Sequence, residues 1–230
     1  MDYLFIIYGL PIIALVITLI AQGFVSSSYS KYSKVKNKRG ITGKEAARYL
    51  LDKNGLSEVD VVETTGYLTD HYDPRSKVIK LSRNVYNDAS IAAVSVACHE
   101  CGHAIQDKVG YAFLKIRSAL VPIVNFSSYA GYFAILFGCL FGALNLIWVG
   151  IFAEVIILLF QIITLPVEVN ASKRALQELE SANFLNSNEL KYGKTMLTAA
   201  ALTYVASIAT TIIQILRPVS YTHLTLPTIR

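Results

Sequence analysis

The residues His99 and His103 have the spacing of a metal-binding pair, within the run His99-Glu100-Cys101-Gly102-His103. Two histidines four residues apart lie on one face of a helix, so their imidazoles can bind one metal ion. Zinc suits such a pair, with room left for a third protein ligand and a water. Glu100 lies about 100° around the helix from His99, where its carboxylate could take a proton from that water. The pattern therefore predicts metal-assisted amide hydrolysis, and a buried helix with ordinary histidine hydrogen bonds is the structural alternative.

Two helices are predicted in the segment that contains this motif. Thr42, with Glu45 three residues later, forms a capping box that predicts a helix over residues 43–53. Ser90 is in a capping position for a second helix over 91–108, which carries the motif. Small and apolar residues surround the motif, as expected for a helix packed into a core.

Two strands are predicted before the motif, over 59–68 and 77–82, because β-branched and apolar residues alternate there. We expect them to form a hairpin around a polar turn at 69–75. An exposed hairpin edge could hold an extended peptide by strand addition, or the sheet could simply cover one face of the domain. Within the turn, His71 or Tyr72 could stabilise the oxyanion of a tetrahedral intermediate, although a solvated turn is the simpler interpretation.

Cys98 and Cys101 form a C-x-x-C pattern around His99-Glu100, while Cys139 falls in an apolar run. Three cysteines do not make a disulfide framework. On a helix, Cys98 and Cys101 point away from the histidine face, so we interpret them as small core residues. A redox or thiolate-ligand role is the alternative.

The chain is too apolar for an ordinary soluble domain, with 53% hydrophobic residues and a mean hydropathy of +0.46. A bilayer-spanning helix needs about 20 apolar residues. Four runs reach that length, at 3–25, 119–141, 146–167 and 195–216. Glu154 is the single charged residue inside these runs, and its role is left open.

The basic residues are concentrated in two segments, although the net charge of +5 could also suggest nucleic acid. Of 21 Lys and Arg, 15 lie in 26–118 and 4 in 168–194. If the first span runs from outside to inside, both segments fall on one side, and the positive-inside rule makes that side cytoplasmic. The basic cluster at 31–39 directly follows the first span, and attraction to anionic lipid is its functional alternative.

Glu168 is the best candidate for the third metal ligand. It follows the third predicted span, where the chain returns to the side that holds the two histidines. Two histidines and one glutamate suit a catalytic zinc, and Asn170 could orient a ligand by a hydrogen bond. Asp107 and His223 are weaker candidates, because Asp107 would have to curl back and His223 falls on the opposite side.

Three strings carry a family resemblance: GYLTDHYDPRSKVIKLS at 66–82, VACHECGHAIQD at 96–107 and TLPVEVNASKRAL at 164–176. In this order, with the apolar hairpin between the last two, they strongly resemble the bacterial YugP-type membrane zinc metallopeptidases. The order of parts is also similar to that of HtpX-type membrane proteases, which place a zinc helix, a membrane hairpin and then a glutamate ligand on the cytoplasmic side. The resemblance extends to about Arg217.

This resemblance implies that His99, His103 and Glu168 bind zinc and that Glu100 is the catalytic base. The HtpX-type pattern has an aspartate four residues after the ligand glutamate, where this chain has Ser172. Asn170 is our substitute for that aspartate. The resemblance implies peptidase activity but does not identify a substrate.

We therefore predict a mainly α, multi-pass membrane protein of about four transmembrane helices, with a small α+β cytoplasmic zincin-like domain. The end of the chain resembles translated adaptor sequence and is not expected to continue the last helix. The predicted parts are an N-terminal transmembrane anchor (1–25), the metal-site domain (26–118), a transmembrane hairpin (119–167), a cytoplasmic helix with the third ligand (168–194), a transmembrane helix (195–217) and a non-native tail (218–230).

The predicted function is that of a zinc-dependent endopeptidase in the inner or plasma membrane. Its zinc-bound water, activated by Glu100, would hydrolyse peptide bonds of membrane or membrane-proximal polypeptides. The expected partners are a polypeptide substrate and the lipid bilayer, and no nucleic acid. The alternative is a non-catalytic membrane scaffold or chaperone-like protein with a structural zinc. Coordination of the metal by His71 as a fourth protein ligand would favour this alternative, because structural sites have no open position. The sequence leaves the substrate and the oligomeric state open.

Overall fold

The computed structural model describes residues 4–225, except for the side chains of Ile7 and of residues 219–225. The chain divides into two compact units: one takes residues 1–22, 116–165 and 203–230, and the other takes 23–115 and 166–202. After a π-helical turn at Phe5–Gly9, the elements are α1 (Leu10–Tyr32), α2 (Gly43–Lys53), β1 (Asp60–Thr64), β2 (His71–Asp73), β3 (Val78–Ser82), α3 (Arg83–Asn87), α4 (Ile91–Lys108), α5 (Ala112–Phe141), α6 (Leu144–Ser181) and α7 (Ser187–Thr225).

Four of these helices are long and apolar enough to cross a membrane, namely α1, α5, α6 and α7. The first unit is built from parts of them. Large apolar side chains stay exposed on their surfaces, among them Phe126, Phe141 and Phe152, as expected of helices that face lipid rather than water. The predicted mainly α fold with four membrane-spanning candidates is therefore confirmed.

The helices continue beyond the ends that the sequence predicted. The helix of the first predicted span, which was expected to end at Val25, continues as far as Tyr32. Helix α6 runs through Pro166 to Ser181 without a break. The predicted helix over 168–194 is two helices, because residues 182–186 form a turn between α6 and α7.

The prediction that the chain leaves the helix at Pro218 is wrong, since α7 continues to Thr225. A proline inside a helix removes one backbone hydrogen bond, and the bonds on either side can still hold the helix together. Residues 226–230 lie outside the described residues. The non-native origin of the tail stays a prediction.

The second unit is organised around α2 and α4. Both halves of the predicted capping box are present at Thr42 and Glu45, and Ser90 Oγ accepts a hydrogen bond from the N–H of Ala93 at 3.1 Å. Leu50 and Leu51 of α2 are fully buried. Helix α4 is buried on nearly every face, so it is fixed by packing and not only by its caps.

The sheet has three strands in the order β1-β3-β2, with β1 parallel and β2 antiparallel to β3. The predicted hairpin is therefore wrong. The two predicted strands correspond to β1 and β3, which are neighbours but run parallel. The antiparallel partner of β3 is β2, a short strand inside the segment that was expected to be a turn. The chain first reverses its direction between β1 and β2, where Gly66 (φ +110°) and Leu68 (φ +54°) have positive φ angles.

Candidate metal centre

Three side chains of the second unit bring metal-binding atoms together: His99, His103 and Glu168. Their ligand atoms all lie within 4.8 Å of one another. A carboxylate oxygen of Glu168 is 3.3 Å from Nε2 of His99 and 3.5 Å from Nε2 of His103. Donor atoms at about 2.0–2.1 Å from a tetrahedral zinc are about 3.3–3.4 Å apart, so this spacing fits a zinc site.

The second nitrogen of each imidazole has a partner that leaves Nε2 free to bind a metal. Nδ1 of His103 lies 3.0 Å from the side-chain oxygen of Gln106, and Nδ1 of His99 lies 3.2 Å from the hydroxyl of Ser172. With a proton on each Nδ1, the lone pair of each Nε2 faces the Glu168 carboxylate. Three electron-pair donors at this distance repel one another unless a cation lies between them. The donor set therefore fits zinc.

Gln106 connects both metal-binding elements and was not among the predicted site residues. It is fully buried, and its amide nitrogen donates to the carbonyl oxygen of Val167 at 2.8 Å and to Oδ1 of Asn170 at 3.0 Å. These two bonds fix the amide so that its oxygen accepts from His103. Asn170, predicted to orient a ligand, therefore reaches His103 only through Gln106. The signal in the sequence was the position of Gln106, one helical turn after His103.

Ser172 occupies the position where the HtpX-type pattern has aspartate. Its hydroxyl is in contact with His99, so this position supports a histidine even without a carboxylate. A neutral hydroxyl raises the basicity of the imidazole less than a carboxylate does. The expected substitute, Asn170, contacts Gln106 and acts on the other histidine, His103, only through it.

A close approach between α4 and α6 brings Glu168 to the histidines. Gly102 of α4 faces the backbone of Ala171 on α6, and a Cβ at Gly102 would stand 2.6 Å from the carbonyl oxygen of Ala171. Only glycine allows this approach without movement of one helix. Because Glu168 lies three residues before Ala171, the same contact sets the distance from Glu168 to the histidine pair.

Glu100 is buried and has a fixed orientation. Its carboxylate accepts a hydrogen bond of 2.9 Å from the backbone N–H of Tyr72 on β2. The Tyr72 hydroxyl donates to Asp107 at 2.8 Å, and Lys77 also pairs with Asp107. Tyr72 was predicted to stabilise an oxyanion. Its hydroxyl instead donates to Asp107 on α4, and its N–H donates to Glu100, the predicted base.

The pKa of His103 is set by two opposing effects. Burial disfavours the imidazolium and lowers the pKa of His103, but the adjacent Glu168 carboxylate favours the imidazolium, and the pKa is raised overall.

At Asp70, by contrast, burial decides the direction of the pKa shift. Burial raises its pKa, hydrogen bonds from Ser82 lower it, and the net pKa is above the usual value.

His71 lies apart from the ligand group. It is exposed, and its Nδ1 is 2.8 Å from the carbonyl oxygen of Thr69. In the part of the chain that the structure describes, the group of ligand atoms has three members and His71 is not one of them. A fourth protein ligand, which the structural-zinc alternative required, is therefore not supplied by His71.

The cysteines beside the motif belong to the hydrophobic core. Cys98 and Cys101 are fully buried among apolar residues, and burial raises the pKa of both thiols. The Cys101 thiol is 3.6 Å from the carbonyl oxygen of Ala47. This is the predicted core role.

Comparisons with known proteins agree with the site. A family described as "Putative neutral zinc metallopeptidase" matches residues 6–223. A protein of Bacillus subtilis (strain 168) with the name "Putative membrane protease YugP" is 47% identical over 208 residues, which cover 90% of this chain and 92% of that protein. No solved structure matches. The predicted family and zinc as its metal are both confirmed, and this chain belongs to that zinc metallopeptidase family.

Proposed function

We propose that this protein is a zinc-dependent endopeptidase that cleaves membrane or membrane-proximal polypeptides. The observation that carries the proposal is the arrangement of four side chains. The ligand atoms of His99, His103 and Glu168 lie together, and the carboxylate of Glu100, next to His99 on α4, is held by the N–H of Tyr72. A metal-ligand set with an adjacent oriented carboxylate is what peptide hydrolysis by a zinc enzyme requires.

Zinc held by the three ligands would polarise the substrate carbonyl and lower the pKa of water in the site. Glu100 accepts the proton of the attacking water and later delivers it to the leaving amine. The Tyr72 N–H keeps the Glu100 carboxylate in one orientation during both transfers.

Strand β2 supports a polypeptide as the substrate. It is an edge strand, with β3 as its neighbour in the sheet, and the N–H of Tyr72 donates to Glu100. An extended peptide added along this edge would therefore pass close to Glu100. The four apolar helices and the name of the B. subtilis relative support membrane polypeptides as substrates.

The active site is proposed to lie in a zincin-like domain on the cytoplasmic side. The support is the distribution of basic residues, with 19 of the 21 Lys and Arg in residues 26–118 and 168–194. The three ligands lie in these two segments, and the positive-inside rule assigns such segments to the cytoplasm.

The test compares wild-type protein with Glu100→Gln, both purified in detergent and loaded with zinc. We expect equal zinc content and a loss of at least about 10²-fold in the cleavage rate of a fluorescently labelled unfolded protein such as casein. Glu180→Gln makes the same chemical change on the exposed part of α6 and should keep both zinc and activity. Cleavage by Glu100→Gln at the wild-type rate would overturn the proposal.

A further inference from the structure

The loop between β1 and β2, residues 65–70, displays two neighbouring apolar side chains. Tyr67 is 57% exposed and Leu68 is 38% exposed. Leu68 has φ +54° and follows the left-handed Gly66 by two residues. A bulky residue is unfavourable at positive φ, and such strain persists where the surrounding structure or a function requires it. The backbone thus holds a leucine in an unfavourable conformation while both side chains remain outside the core.

The position of this loop along α1 indicates what could cover these side chains. The Tyr67 ring packs edge-on against the Tyr29 ring of α1, with 5.4 Å between centroids. Tyr29 follows Val25, the last residue of the uncharged apolar run, by four residues of the same helix. At about 1.5 Å per residue this is about 6 Å, which is also about the thickness of the headgroup layer beyond the hydrocarbon.

We propose that loop 65–70 is a membrane-contacting loop that inserts Tyr67 and Leu68 into the interfacial layer of the bilayer around α1. Tyrosine favours this layer because its ring is apolar and its hydroxyl is polar. Exposed lysines on the same segment of α1 and just after it, Lys31 and Lys34, attract anionic headgroups. The loop leads directly into β2, so its contact with lipid would hold this edge strand at the membrane surface. The inference depends on α1 being in the bilayer and is independent of peptidase activity.

The test uses tryptophan fluorescence in vesicles. Trp148 is the single tryptophan of the chain, so Trp148→Phe gives a dark background into which Tyr67→Trp is introduced. The protein is reconstituted into phosphatidylcholine–phosphatidylglycerol vesicles, with or without phospholipid brominated near the top of the acyl chains. We expect the reporter at position 67 to lose fluorescence in the brominated vesicles and to keep it in the unbrominated ones.

The matched control is Tyr49→Trp in the same background. Tyr49 is 47% exposed and packs against Phe184, just after the end of α6. That end lies about 21 Å along α6 beyond the predicted end of the span at Val167, so bromine should not quench a reporter at position 49.

The outcome of these measurements decides between lipid and other partners. If Tyr67→Trp does not fold, Leu68→Trp reports from the next position with the same expectation. Equal fluorescence in brominated and unbrominated vesicles, for a folded reporter at either position, would overturn the proposal. If such an unquenched reporter changed its emission on addition of unfolded casein, the loop would instead belong to a polypeptide-binding surface.

Discussion

Gln106 connects the two helices that carry the metal ligands, α4 and α6, through hydrogen bonds of its side-chain amide. Its oxygen holds His103, and its nitrogen bonds to Val167 and Asn170 on α6. We expect Gln106→Ala to weaken zinc binding by about 10–100-fold, the usual effect of losing a partner of a metal-binding histidine. Competition with a fluorescent zinc chelator measures this. Gln177→Ala, on the exposed face of α6, should leave the affinity unchanged.

A second substitution separates the effect on His103 from the effect on packing. Gln106→Glu keeps an oxygen acceptor for Nδ1 of His103 but removes the two N–H bonds to α6. If support of His103 is the role of Gln106, Gln106→Glu retains tighter zinc binding than Gln106→Ala. Equal zinc affinity of Gln106→Ala and wild type would show that this residue does not support the metal site.

The buried thiols lead to a prediction about pH. Thiol reagents attack the thiolate, and burial raises the pKa of Cys98 and Cys101. In the folded protein the thiolate fraction therefore stays small as the pH rises to about 9, near the pKa of a free thiol. We expect no labelling by iodoacetamide in a Cys139→Ala background at pH 7 or 9. After unfolding, labelling should occur and increase with pH. Fast labelling of the native protein would argue for a reactive C-x-x-C pair.

The chemistry at the residue scale could be predicted well because spacing alone determines much of it. The distance between His99 and His103 on a helix follows from helical geometry, and Glu100 follows from its place beside His99. The prediction of Glu168 as the third ligand required the order of the spans and the family resemblance. The structure places Glu168 with the two histidines. Gln106 was missed, because its position one turn after His103 does not by itself show which neighbours a polar residue on a buried helix contacts.

At the scale of elements, the contact between α4 and α6 controls the site through Gly102. We expect Gly102→Ala to separate the helices, because the new methyl group would stand 2.6 Å from a backbone oxygen of α6. Overpacking of this kind costs about 1–3 kcal/mol, and displacement of Glu168 should also lower zinc affinity. Thermal unfolding and zinc titration measure the two effects separately.

Gly193→Ala is the matched control for this contact. Its Cβ would stand 2.8 Å from the Ser95 hydroxyl on α4, at a contact that carries no ligand. It should lower the unfolding temperature while leaving zinc affinity close to wild type. If Gly102→Ala bound zinc as tightly as Gly193→Ala does, the approach of α6 would not determine the geometry of the ligands.

The sheet shows where prediction from the sequence failed. The helices α2 and α4 begin and end where their caps predicted, because capping is a local interaction among neighbouring residues. Strand pairing depends on contacts between distant segments, and the three residues of β2 carry too little alternation to be recognised. The parallel pairing of β1 with β3 therefore had no local signal. The long helices were also underestimated, because polar residues after Val25 and Val167 continue helices that apolar runs alone would end.

At the scale of the whole molecule, the charge distribution predicts which side of the membrane the metal site occupies. In intact cells we expect Lys34→Cys to resist a membrane-impermeant maleimide and to react after permeabilisation, in a Cys139→Ala background. Asn145→Cys, at the exposed start of α6, should react in intact cells because one span separates it from the basic segment. The reverse pattern would place the metal site outside the cytoplasm.

We infer that His99, His103 and Glu168 together hold one zinc ion. Metal content measured by mass spectrometry on detergent-purified protein tests it most directly, with wild type beside Glu168→Ala. We expect about one zinc per chain in the wild type and its loss from Glu168→Ala, while Glu180→Ala should keep it. Zinc retained by Glu168→Ala at wild-type affinity would show that Glu168 is not a ligand and that another residue completes the site.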